Sequence, residues 1–357
     1  MKVLILANND VGLYQFRKEL IERILENNEV IISLPYGEFV ESLKDIGCEF
    51  TDTPIDRRGI NPITDIRLLV KYMRILKQNK PSLVITYTIK PNVYGGLVCR
   101  IFKIPYAINI TGLGTAFEGN GILKKIVVFL YKVACKKAKV VFFENEANRQ
   151  IFIQEKIVNE EQTHRLNGAG VNLEKYQVSE YPKGNKIKFL FMGRVMAEKG
   201  INELFEAMRR LIDEGINCEL DILGGYEENY EKLIAKYEAE GWLHYYGYKK
   251  DVRPYINKCH CFVLPSWHEG MANTNLESAA SGRPIITSEI PGCMEAVIDG
   301  KTGFLVKKKN VDDLYEVMKK FVLLPYEKRR EMGCLGRKHM EMNFDKKMII
   351  KETIDYL

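Results

Sequence analysis

The chain has 357 residues, 46% hydrophobic and 28% charged, with a formal net charge of +6. At about 100 to 200 residues per domain this length allows about two domains, and the absence of any run of about 18 apolar residues argues against a membrane-spanning helix. Eight cysteines without a C-x-x-C pair exclude a disulfide framework and read as reduced core residues. The apolar start of the chain is too short for a signal peptide and reads as a first strand, so a cytoplasmic protein is expected.

Taken in chain order, short apolar runs alternate with helical segments, the pattern of parallel sheets. Strands are predicted near residues 3–7, 30–34, 83–86, 107–110 and 140–143 in the first half. In the second half they are predicted near 188–192, 219–223, 245–246, 261–264, 284–287 and 303–306. Two doubly wound α/β domains follow, over 1–175 and 187–342. The polar segment 176–186, with Pro182 and Gly184, is the expected linker. Residues 343–357 are expected to form a final helix. Gly12, after Asn8, Asn9, Asp10 and Val11, is expected in the loop after the first strand, where a missing side chain lets a ligand approach.

The positive charge is unevenly placed. Residues 1–175 carry 25 Lys and Arg against 19 Asp and Glu, whereas the remainder carries 28 of each. The excess concentrates in 121–139, a helix-compatible stretch mixing six lysines with large apolar side chains. Such a stretch fits the interface of an anionic membrane, and it equally fits a core helix whose lysines face water. No basic motif with stacking aromatics is present, so nucleic acid is not an expected partner. Cys259, His260 and Cys261 would alternate faces on a strand, which argues against a zinc site there.

Two segments carry chemistry. The first runs from the apolar strand at 189–192 through Gly193, Arg194 and Lys199 into a helix. Arg194 offers a planar fork and Lys199 a mobile point charge, a pair fitted to a diphosphate whose negative charge grows as its bond to a sugar breaks. The second is the run from Pro265 to Glu277, in which a buried strand ends in a small loop that opens a helix. Amides from Gly270 to Asn273 are expected free at that helix N-terminus, where anions bind. Glu269 and Glu277, eight residues apart, suit sugar and ribose hydroxyls because each carboxylate offers two acceptor oxygens.

With Gly224-Gly225 and Gly247-Tyr248 between them, these motifs resemble, in order, the retaining glycosyltransferases of family 4, which have the GT-B fold of two Rossmann-like doubly wound domains facing a central cleft. The resemblance implies that Arg194 and Lys199 bind the donor diphosphate, that Glu269 holds the donor sugar and that Glu277 holds the ribose. It also implies donor contacts from Gly12, Gly193 and Gly225, from Tyr248 beside the base, and from Gly270, Met271, Ala272, Asn273, Thr274 and Leu276, and a final helix, 343–357, that crosses back to the first domain. The first half is similar to a branch that adds N-acetylhexosamines to lipid-diphosphate-linked sugars in bacterial glycan assembly. The similar segments run from Gly12 to Arg17, Arg57 to Pro62, Thr88 to Asn92 and Thr111 to Gly114.

From that resemblance a UDP-sugar donor, N-acetylgalactosamine before N-acetylglucosamine, is expected on the second domain, and a lipid-diphosphate-linked saccharide on the first. Arg17, Arg57, Arg58, Lys90 and Thr111 are candidate acceptor contacts, although surface charge and capping account equally well for the charged ones. Many family members carry a His near the donor sugar where this chain reads Asn109-Ile110-Thr111-Gly112, so no role carries over from it. Domain closure would exclude water, and a site on the inner face of the cell membrane is expected. No Asp-x-Asp motif appears at a strand end, so neither a metal nor a cofactor is expected. A sugar-nucleotide epimerase and a non-catalytic nucleotide-sugar-binding protein are the alternatives.

Overall fold

The computed structural model describes residues 1–56, 59, 61–113, 117 and 121–357. It divides into two compact units, Met1–Ala169 with Met348–Leu357, and Gly170–Lys347.

The first unit carries strands β1 (Lys2–Leu6), β2 (Glu29–Leu34), β3 (Glu49–Asp52), β4 (Leu83–Tyr87), β5 (Tyr106–Ile110), β6 (Val140–Phe143) and β7 (Thr163–Arg165). They form one sheet in the order β3-β2-β1-β4-β5-β6-β7, with every pairing parallel. Helices α1 (Asp10–Leu25), α2 (Val40–Asp45), α3 (Pro62–Asn79), α4 (Gly96–Phe102), α5 (Ile122–Cys135) and α6 (Glu146–Gln154) connect them. The central strands are buried on both faces, which is why they read as uninterrupted apolar runs. The edge strands β3 and β7 were not expected. They are three or four residues long, polar and only partly buried, so no apolar pattern marks them.

The second unit repeats the plan with β8 (Ile187–Met192), β9 (Cys218–Leu223), β10 (Leu243–Tyr245), β11 (Cys261–Leu264), β12 (Ile285–Ser288) and β13 (Gly303–Val306). Their order is β10-β9-β8-β11-β12-β13, again parallel throughout. Helices α7 (Ile201–Asp213), α8 (Glu231–Ala239), α9 (Arg253–Ile256), α10 (Asn273–Ala280), α11 (Val311–Leu323) and α12 (Tyr326–Asn343) complete it. Both units are therefore doubly wound Rossmann-like domains. In such sheets ligands bind beyond the carboxyl ends of the strands where the strand order reverses. That point lies between β1 and β4 in the first unit and between β8 and β11 in the second.

Two positions differ from the expectation. The division falls after Ala169, so 176–186 lies within the second unit, where Tyr176 and Tyr181 are buried. Its polar composition suggested a linker, but these two rings anchor it. Gly12 lies in the first turn of α1, not in a loop, because Asn9 caps that helix and its side chain accepts the Gly12 amide at 2.6 Å. The last helix, α13 (Lys346–Tyr356), carries Ile349 into the core of the first unit. There Glu352 also meets His164 at 2.7 Å.

Candidate functional site

The two charged motifs follow β8 and β11, the paired strands that flank the reversal point of the second sheet. After β8 the chain makes a tight turn over Ala197–Lys199 and reaches Gly200 at φ +72°. A side chain at Gly200 would lie 2.0 Å from the carbonyl oxygen of Pro265, so only glycine lets the two loops close on each other. They are then tied together. The amide of Trp267 donates to the Glu198 carbonyl at 2.9 Å, and the Trp267 indole donates to Glu203 at 3.0 Å.

That closure brings Lys199 and Glu269 together, with Nζ 2.5 Å from Oε1 and both side chains largely buried. Arg194 stays half exposed and pairs loosely with Glu227 at 3.4 Å. The glycine motifs line up beside them. Gly193 donates to the Leu223 carbonyl, Val195 to that of Gly225, and Gly224 to that of Gly247, each at 2.9 Å. A Cβ on Gly224, which has φ +142°, would sit 1.8 Å from the Gly193 carbonyl oxygen. The ends of β8, β9 and β10 thus form one continuous backbone rim carrying Gly193, Arg194 and Gly225. Tyr248 is exposed at its far end.

The loop after β11 departs from the expectation in one respect. The Ala272 amide already donates to the Gly292 carbonyl at 2.7 Å, and that of Asn273 to Met271 at 3.0 Å, so two of the four amides expected free are engaged. Gly292 packs under the loop at φ +86°, and a Cβ there would meet the Gly270 carbonyl oxygen at 2.6 Å. Its own amide is held by the Glu295 carboxylate at 2.7 Å. Met271, Ala272 and Leu276 are buried, so their side chains support the loop, while Thr274 is partly exposed in the first turn of α10.

Glu277 lies one turn into α10. Burial raises its carboxyl above the usual range, opposed by the polar influence of the Tyr176 hydroxyl and by Lys175 and Lys346. Tyr176 is fixed in turn by the Arg337 guanidinium. This group donates to the Tyr176 carbonyl at 2.7 Å and to that of Ala280, at the end of α10, at 2.9 Å. Sequence reasoning missed Tyr176, Gly292 and Glu295. Pro291-Gly292 was the one local sign, a turn after a strand.

The candidate acceptor residues are dispersed. Arg17 is buried in an ion pair with Glu144 at 2.5 Å, over the ring of Tyr87. Burial raises the Glu144 carboxyl, against the pull of Arg17. Lys90 pairs with Asp65 at 2.7 Å, and the Tyr94 hydroxyl holds the second Asp65 oxygen. Thr111 directly follows β5. Arg57 and Arg58 lie outside the described residues. Asn109 is buried and donates to the Thr86 carbonyl at 3.2 Å, a structural contact.

Among the described residues one group of side chains has metal-ligand spacing, Glu219, Asp221 and His244. Glu219 lies near the amino end of β9, away from the motif ends, and Lys188 already meets it at 2.8 Å and Asp221 at 3.5 Å. Burial pushes the Glu219 carboxyl up, but hydrogen bonds from Lys186 and Lys188 outweigh it and hold the value at about 2. All eight cysteines are free, and seven are buried. His260 precedes β11 and accepts the Lys188 amide at Nδ1, 3.0 Å away. Burial pushes its pKa down to about 4.

Residues 174–339 match the family model described as glycosyl transferases group 1, and residues 2–145 match that described as glycosyl transferase 4-like. The chain is 28% identical, over 99% of its length and 97% of the relative's, to an N,N'-diacetylbacillosaminyl-diphospho-undecaprenol alpha-1,3-N-acetylgalactosaminyltransferase of Campylobacter jejuni. It is 26% identical to a capsular polysaccharide biosynthesis glycosyltransferase of Staphylococcus aureus, over 83% of this chain and 81% of that one. Its fold matches that of Anabaena HepE, solved in complex with UDP and glucose, with a TM-score of 0.83 over all of both chains at 18% identity.

Proposed function

Because this chain belongs to the family-4-like, group 1 glycosyltransferases with the GT-B fold, we propose that it moves an N-acetylhexosamine from a UDP-sugar to a lipid-diphosphate-linked saccharide. N-acetylgalactosamine is the first choice of sugar, supported by the name of the Campylobacter jejuni relative that spans nearly the whole chain. The same name supports a lipid-diphosphate-linked acceptor over the epimerase and binding-protein alternatives, which need no acceptor.

The single observation that carries the donor site is the Lys199–Glu269 pair at the reversal point of the second sheet. With donor bound, Lys199 and Arg194 face the diphosphate, Glu269 accepts from sugar hydroxyls, and Glu277 accepts from the ribose diol. The acceptor hydroxyl attacks the anomeric carbon from the face that the diphosphate leaves. The new glycosidic bond forms as the bond to the phosphate oxygen breaks, and that oxygen takes the hydroxyl proton. Configuration is retained and no protein base is needed, while Lys199 and Arg194 stabilise the charge that develops on the leaving group. The first unit holds the acceptor, with Lys90 and Thr111 near the carboxyl ends of β4 and β5.

No helix among the described residues is long and apolar enough to cross a membrane. A lipid-borne acceptor places the enzyme at a bilayer surface, on the cytoplasmic side where nucleotide-sugars are made. Helix α5 within 121–139 is the proposed contact with anionic lipid, since Ile122, Leu123, Ile126 and Phe129 are exposed on it.

The test is transfer from radiolabelled UDP-N-acetylgalactosamine, UDP-N-acetylglucosamine, UDP-glucose and GDP-mannose to polyprenyl-diphosphate-linked sugars in detergent, with Glu269→Ala as control. Label entering the lipid phase from a UDP-N-acetylhexosamine, and lost in the control, is the expected result. A donor that binds without transfer to any acceptor would overturn the acceptor assignment.

A further inference from the structure

The first unit presents a second amphipathic surface beside α5. Helices α3, α4 and α5 send their inner residues, among them Leu68, Tyr72, Val98, Cys99, Val128 and Tyr131, into one core, and α4 packs against both of its neighbours. The three therefore cover one face of the first sheet, and their outer sides adjoin. On α3, Ile63, Ile66 and Val70 are exposed, three and four residues apart, so they form a single stripe on the outer side of that helix. Ile101 on α4 is 62% exposed, and the stripe of Ile122, Ile126 and Phe129 on α5 continues the pattern. Scattered exposed apolar residues are ordinary. Three adjacent helices that each expose large apolar side chains among cations are not.

The charge on the same stretch has one sign. Residues 66–143 contain 14 Lys and Arg and a single acid, Glu118. Arg67, Arg74 and Lys77 on α3 and Lys125 and Lys132 on α5 are exposed around the apolar stripes. Asp65, at the start of α3, is neutralised by Lys90.

We propose that α3, α4 and α5 together form one docking face for an anionic lipid bilayer, with α3 contributing as much as α5. This deepens the reading given above for 121–139 and rests on it for the choice of a bilayer as partner. Charge complementarity carries the rest. Apolar tips enter the headgroup boundary while the surrounding cations meet anionic headgroups. A second copy of the chain is disfavoured on this face, because it would bring two surfaces of the same sign together. Nucleic acid would meet the cations but leave the apolar stripes in water.

The test is co-sedimentation of the full chain with phosphatidylcholine vesicles, with and without 30 mol% phosphatidylglycerol, for wild type, Ile66→Glu/Val70→Glu and Ile126→Glu/Phe129→Glu. Thermal melting checks that both variants fold. The face predicts binding to anionic vesicles alone, weakened by added salt, and a loss of about tenfold or more for each variant separately, since each places two anions among the cations. Retention of wild-type binding by the folded α3 variant would overturn the joint face. So would absence of vesicle binding, with a polynucleotide bound instead or with self-association. Transfer to a short-chain acceptor in detergent separates this from catalysis: vesicle binding without transfer removes the enzymatic reading and leaves the surface, and transfer without vesicle binding does the reverse.

Discussion

Lys199 and Glu269, separated by 70 positions in the chain, hold each other at 2.5 Å where the loops after β8 and β11 meet. Each is the other's counterion before any donor arrives. A cation aimed at a diphosphate and a carboxylate aimed at sugar hydroxyls would each be costly to bury alone, and pairing offsets that cost. In the proposed donor complex a UDP-sugar would bring a new anion to Lys199 and new donors to Glu269, so the ligand would replace a satisfied pair with satisfied contacts and leave neither charge bare.

Gly292→Ala should damage the donor site without touching a ligand. The position has φ +86°, and the added Cβ would meet the Gly270 carbonyl oxygen at 2.6 Å, so the loop carrying Glu269 must shift. A loss of about 1 to 3 kcal/mol is expected, seen as a lower melting temperature together with a raised donor KM. An unchanged melting temperature and KM would mean that the loop is not held from below.

Tyr176→Phe removes the hydroxyl that favours the ionised form of Glu277. Losing a polar contact of this kind, worth about 0.5 to 1.5 kcal/mol, should raise the donor KM by about two- to tenfold, with kcat little changed. The pH profile separates this from a packing effect. If Glu277 holds the ribose as proposed, binding needs its ionised form, so donor affinity should fall as pH drops through its raised pKa. Because the Tyr176 hydroxyl favours the ionised form, its removal should move that acid limb to higher pH. A parallel loss at every pH would mark Tyr176 as packing only.

Arg17→Ala should act on stability before it acts on the acceptor. Its guanidinium and the Glu144 carboxylate are about nine-tenths buried and meet at 2.5 Å. Breaking a buried pair from one side costs about 3 to 5 kcal/mol. Chemical denaturation should show that loss, and a folded variant of wild-type stability with a raised acceptor KM would instead assign Arg17 to the acceptor.

Transfer should persist in excess EDTA. In the proposed mechanism Arg194 and Lys199 supply the positive charge that a divalent ion would otherwise bring to the diphosphate. Loss of activity in EDTA, restored by magnesium or manganese, would contradict this.

Much of this was legible in the sequence because parallel strands buried on both faces leave apolar runs, and the motifs at their ends keep a fixed order. Arg194, Lys199, Glu269 and Glu277 could be picked out as charged residues at strand-to-helix turns. The edge strands β3 and β7 could not, since half-buried polar strands have no such run. Nor could Tyr176, whose contact with Glu277 spans about 100 residues and lies in a segment that reads as a linker. Arg17 and Lys90 looked like free cations because the acids that neutralise them, Glu144 and Asp65, are distant in sequence. Charge can be read residue by residue, but pairing depends on the fold.

The most direct single measurement is the rate of sugar transfer from UDP-N-acetylgalactosamine to the lipid-diphosphate-linked acceptor by Lys199→Ala, beside wild type, with folding checked by thermal melting. Loss of a contact made mainly in the transition state, about 3 to 4 kcal/mol, predicts a turnover reduced by hundreds-fold or more. A folded Lys199→Ala enzyme with near wild-type turnover would contradict the placing of the reaction at the Lys199–Glu269 pair.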